Sequence, residues 1–144
     1  MPLEPPPSAR PAHRLLRGVA RILAAAGLAV NAYVHARLAD QYDAVGDTIT
    51  QGTLFRTEAA LAALATLLVL AWHRRPADTF AWLVAAGGLA ALLIYQYVDV
   101  GALGPLPNMY EPVWSSDKKL TAAAQTLTIV TTTLLLLTRG RRRR

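Results

Sequence analysis

Hydrophobic and polar positions in this chain segregate into long blocks. Four apolar stretches, at about residues 17–38, 53–72, 79–98 and 120–138, each approach the length of a bilayer crossing. About 20 helical residues cover the roughly 30 Å of hydrocarbon in a membrane. Backbone groups in lipid need partners within the chain, so such segments are helices or strands of a closed barrel. No stretch alternates with period two over the length of a barrel strand. The pattern predicts an all-α fold, a bundle of four transmembrane helices spanning residues 15–138. Residues 1–14, proline-rich and polar, read as an extended, disordered cytoplasmic arm, and residues 139–144 as a polybasic cytoplasmic tail.

Charge orients the bundle. Arg10, Arg14, Arg17 and Arg21 fall at the start, Arg74 and Arg75 in the second connection, and Arg139 with Arg141 to Arg144 at the end. Arg37, Arg56, Lys118 and Lys119 fall on the other side. The positive-inside rule then predicts an up-down bundle with both termini cytoplasmic. Asp40, Asp43, Asp47, Glu58, Asp99, Glu111 and Asp117 all lie toward the outer side. Trp72 and Trp82 near the inner interface and Trp114 near the outer one fit aromatic belts. The first block also carries marks of a cleavable signal peptide: a basic start, an apolar run and "VHA" at Val34 to Ala36. Its length, the interruption by Asn31 and the bulk of Tyr33 and His35 favour retention as the first helix.

Composition narrows the chemistry. Charged residues are 17% of the 144 and hydrophobic residues 53%, against about 25% charged in a soluble domain. With no cysteine, disulfides, thiolate metal sites and cysteine nucleophiles are excluded. The net charge of +6 sits beside apolar blocks, so no nucleic-acid partner is expected. The terminal "RGRRRR" fits anionic lipid, at about 1 kcal/mol per basic residue. The other expected partners are the lipid bilayer and a membrane protein or second copy of the chain. Ala59 with Ala63, and Gly87 with Ala91, give small-residue faces suited to close helix packing.

Polar residues inside the spans mark a candidate ligand site. Asn31 and His35 share a face of the first helix, Glu58 stands on the second, and Gln96 and Asp99 share a face of the third. Gln125 belongs to a stripe on the fourth helix with Lys118, Thr121, Thr128 and Thr132. Counted from the outer surface, these groups fall in the outer third, while the inner half is nearly all Leu, Val and Ala. Ionisable groups in spans are costly and usually face the bundle interior. Glu58 reads either as a helix N-terminal carboxylate, with Arg56 reaching to headgroups, or as a proton-sensitive partner of His35 or Arg37. His35, Glu58 and Asp99 would offer a metal one nitrogen and two oxygens. No span holds a second histidine, His13 and His73 falling on the cytoplasmic side, so no metal, haem or other cofactor is expected. No nucleophile elbow, phosphate-binding loop or HExxH occurs, so no catalytic residues are assigned. The connection "DVGALGPLPNMYEPVWSSD" is long. Its apolar and proline content predicts an ordered lid over the chamber, with Met109, Tyr110 and Trp114 as candidate lid residues. Ser115 or Ser116 would cap the fourth helix, with Asp117 in its first turn.

The stretches "NAYVHARLADQYD", "ITQGTLFRTEAA" and "GPLPNMYEPVWSSDKKL" together resemble small four-helix membrane proteins of high-GC actinobacteria that have no assigned activity. The similarity covers about residues 16–137. It implies a bacterial cytoplasmic (plasma) membrane location and transfers no functional residue. The residues themselves point to a non-enzymatic accessory or interaction subunit with a polar outer chamber. The alternative is a binder or transporter of a small or amphipathic ligand, although the inner half of the bundle offers transport no polar path.

Overall fold

The computed structural model describes residues 10–139. Among them it is all-helical, with α1 over Arg10–Leu38, α2 over Gln51–Ala71, α3 over Arg75–Tyr97 and α4 over Ser116–Arg139. A short 3-10 turn, Ala39–Tyr42, continues α1. All four helices are long and apolar enough to cross a membrane. α1 packs on α2 and α4, and α3 packs on α4 and α2, giving the cyclic order α1–α2–α3–α4.

Each helix begins before its apolar block. α2 starts at Gln51, where Thr50 is extended and its Oγ1 accepts the Thr53 N–H at 3.0 Å. α3 starts at Arg75 with Pro76 in the first turn, where a missing N–H costs no helical bond. At α4 the Ser115 hydroxyl accepts from the Lys118 N–H at 3.2 Å, and Asp117 lies in the first turn. α1 is the largest correction. Residues 10 to 14, expected to be extended, are helical, since Pro11 again occupies a first-turn position. Residues 1–9 and 140–144, including the rest of the expected arm and the tail beyond Arg139, lie outside the described residues. Replacing Thr50 by Ala is expected to cost about 1 kcal/mol by loss of the α2 cap, read as a lower midpoint in detergent unfolding.

The buried interior is small or polar. Ala24, Ala25, Leu28, Ala62, Ala65, Val69, Ala81 and Val84 form one cluster. Leu16, Ile22, Leu67, Leu83 and Val130 point outward. This inside-out distribution suits lipid, where helices associate through close packing of small residues. The predicted α2 face is displaced by one position: Ala62 and Ala65 are fully buried, while Ala63 is exposed. Gly27 of α1 lies so close to α4 that a Cβ there would sit 2.7 Å from the Ala124 carbonyl oxygen.

At one end of the bundle a charged clamp replaces the expected apolar filling. Asp78 is 0% exposed and Arg21 7%. Arg21 donates to Asp78 Oδ1 at 2.9 Å and Oδ2 at 3.4 Å, and to the Val69 carbonyl at 2.8 Å. One guanidinium thus ties α1 to the first turn of α3 and to a carbonyl in the last turn of α2. Such terminal carbonyls lack helical partners. Nearby, Arg17 donates to the Leu135 carbonyl at 2.9 Å, linking α1 to the end of α4.

Candidate functional site

The opposite end holds a cavity of about 430 Å³, lined by all four helices and by the connection between α3 and α4. α2 contributes Gln51, Leu54, Phe55 and Glu58, the i, i+3, i+4, i+7 face of one helix. Gly87 and Ala91 of α3 line it too and are both exposed, so the cavity reaches the outer surface at α3. The small pair expected to pack a helix therefore borders a gap. A Cβ on Gly87 would meet nothing within 4 Å.

Three of the candidate polar residues meet. Asn31 Nδ2 donates to Glu58 Oε1 at 2.8 Å, and Gln125 Nε2 donates to Asn31 Oδ1 at 3.3 Å. Asn31 and Gln125 are each 1% exposed. Among the described residues, Gln125 Oε1 is the buried side-chain atom left without a hydrogen-bond partner. Gly88 makes this convergence possible: a Cβ there would stand 2.8 Å from Glu58 Oε1 and overlap the Gln125 amide. His35 lines the cavity beside them. Its Nδ1 donates to the Asn31 carbonyl at 3.0 Å. The His35 and Phe55 rings meet edge-on at 5.1 Å, and Tyr42 packs on Phe55 at 4.9 Å.

The expected pairing of Glu58 with His35 or Arg37 does not form. Arg37 pairs with Asp117 instead. Arg56 grips Asp43 at 2.7 and 2.8 Å and Asp40 at 2.7 Å. These hydrogen bonds hold the Asp43 carboxyl below the usual carboxylate range, and they fasten the α1–α2 connection.

Gln96 and Asp99 serve the α3–α4 connection instead of the Asn31–Glu58–Gln125 group. Gln96 Nε2 donates to the Pro112 carbonyl, and its Oε1 accepts from Lys118 Nζ at 3.0 Å. Asp99 lies off the helix, because α3 ends at Tyr97 and Val98 is extended. Its Oδ1 accepts from the Gly101 N–H and from Asn108 Nδ2, both at 3.2 Å. That is a turn-forming role for a short acidic side chain, and it removes Asp99 from any shared metal set with His35 and Glu58. Of the lid candidates, Met109 lines the cavity. Tyr110 is 39% exposed, and Trp114 packs edge-on against Tyr97 at 6.2 Å. Neither reaches the chamber wall.

Lys118 holds the lid. Besides Gln96 it donates to the Glu111 and Val113 carbonyls and pairs with Glu111 Oε2 at 3.3 Å. Tyr42 donates to that same Oε2 at 3.5 Å. Sequence reading placed Lys118 in the α4 stripe and Glu111 among the outer acids without connecting them. Their separation of seven residues, with Pro112 between, carried the only signal of a chain reversal onto the helix start. The threonines below bond mainly within α4: Thr128 bonds the Ala124 carbonyl at 3.1 Å and, across to α1, the Ala24 carbonyl at 3.4 Å, and Thr132 bonds the Thr128 carbonyl at 2.6 Å. No family model matches this chain, and no curated protein or solved structure matches it.

Proposed function

We propose that this chain is a small multi-pass protein of the bacterial plasma membrane, an up-down bundle with both termini cytoplasmic. In this reading its outward chamber binds an amphipathic molecule without chemically converting it. The cavity of about 430 Å³ carries the reading. It falls within the roughly 300–1,000 Å³ of small-molecule sites and combines apolar walls with a few polar groups. Its mouth at Gly87 and Ala91 faces the side of the bundle, so a tail can remain in lipid while a head enters. Binding is favoured over transport because buried Ala24, Leu28, Ala62 and Ala65 fill the bundle beyond Asn31.

An accessory role beside another membrane protein, or a second copy of this chain, draws on a different observation. In the apolar windows of α2 and α3, 17% and 22% of residues are buried, against 39% in α1 and α4. The α2–α3 side is the natural surface for such a neighbour. The basic residues beyond Arg139 are assigned to anionic lipid of the inner leaflet.

A neutral alkyl alcohol carrying a photoreactive diazirine tests the chamber. With the full chain in lipid nanodiscs, labelling is expected at Phe55, Leu92 or Met109, which line the cavity. Gly87→Trp at the mouth should remove that labelling and leave labelling of the outer Leu and Val faces unchanged. Uniform labelling of the lipid-facing surface, with none at the chamber lining, would reject the reading.

A further inference from the structure

The charges on the chamber wall do not balance. Glu58, Glu111 and Asp117 line it, against one lysine, Lys118. Lys118 pairs with Glu111, and Asp117 pairs with Arg37. Glu58 forms no ion pair among the described residues, and the bond from Asn31 is its one hydrogen bond. His35 does not offset it, since no ion pair joins the two and Nδ1 is engaged with the Asn31 carbonyl. The adjoining polar group is also rich in acceptors. Gln125 Oε1 is buried without a donor, at the end of the chain of bonds that runs from Glu58 through Asn31. A carboxylate in a low-dielectric site is costly without a counter-charge. Aromatic rings at Tyr42, Phe55 and Tyr95 stand on the same wall, and ring faces attract cations.

We propose that the natural occupant is a lipophilic amine: a protonated amino head at Glu58, with its apolar tail leaving past Gly87 and Ala91 of α3. An ammonium supplies the missing positive charge and an N–H donor to the Glu58 carboxylate, which lines the cavity. Anionic and neutral amphiphiles supply no positive charge, and a quaternary ammonium supplies no N–H. This inference rests on the chamber reading above and narrows it to one class of head group.

Titration calorimetry on the full chain in zwitterionic nanodiscs, with empty nanodiscs subtracted, tests the choice. The probes are dodecylamine, dodecyltrimethylammonium and dodecanol. Dodecylamine is expected to bind about tenfold or more tightly than dodecanol, as a charged hydrogen bond warrants, with the quaternary probe between them. Glu58→Gln should abolish the preference of dodecylamine over dodecanol. Equal affinities for dodecylamine and dodecanol, or a preference that survives Glu58→Gln, overturn the proposal. If the wild-type chain shows equal affinities while the diazirine alcohol still labels the lining, the chamber reading stands and the amine is wrong. If the lining is never labelled, the chamber reading fails first.

Discussion

Asp78→Asn is expected to produce the largest loss of stability of any single polar substitution in this bundle. The side chain keeps its shape, so packing is nearly unchanged, but Arg21 loses the carboxylate it meets at 2.9 Å. An unpaired buried charge of this kind costs about 3–5 kcal/mol. The Val69 carbonyl remains as a partner and offsets little of that, being neutral. The expected readout is a large drop in the unfolding midpoint in mild detergent or on titration with a denaturing detergent. The double variant Arg21→Met with Asp78→Leu should recover most of the loss, because well-packed apolar side chains often replace a buried pair without penalty. A single variant that unfolds at the parent midpoint would mean the two groups are solvated and do not clamp the helices.

Gly27→Val should rank next. The α1–α4 contact leaves no room for a side chain, with Ala124 backbone on one side and the Thr128 hydroxyl on the other. Backbone cannot turn away as a flexible side chain can. Relief therefore requires α1 and α4 to separate, which also lengthens the contact of Thr128 with the Ala24 carbonyl, now 3.4 Å. Overpacking of this kind costs about 1–3 kcal/mol and sometimes more. Gly18→Val is the matched control, since a Cβ at Gly18 meets nothing within 4 Å. It should unfold at the parent midpoint. Equal effects at the two sites would assign the loss to helix propensity and not to the close approach.

The helices were legible because a membrane span needs a continuous apolar run, and the four runs stand clear in the sequence. Their starts were less so. Hydropathy finds the part of a helix that lies in lipid, whereas the helix begins at its cap, and Gln51, Arg75 and Ser116 are polar first residues. Counting depth from one surface placed Asn31, Glu58 and Gln125 in one layer, and the structure brings these three together. The same counting misplaced Asp99, because helical spacing was carried past Tyr97, where the helix stops. The Arg21–Asp78 clamp was hidden in a basic series. Arg10, Arg14, Arg17 and Arg21 recur at helical spacing, and orientation rules treat them alike. Arg21 differs in sharing a face with Ala24, Ala25 and Leu28, the buried side of α1. That periodicity is present in the sequence itself.

The shallow floor of the chamber has an electrical consequence. Glu58 stands seven residues into the 21-residue helix α2, a depth of about 10 Å at 1.5 Å per residue. A charge crossing the whole bilayer moves through about 2.3 kcal/mol per 100 mV. A cation stopping at Glu58 traverses roughly a third of the helix, so its share is about 0.8 kcal/mol per 100 mV on the same scale. In the proposed reading, 100 mV would therefore change the affinity for such a cation about fourfold. On that reading, a chamber this shallow would respond to the membrane potential as well as to the amphiphile content of the leaflet it opens into.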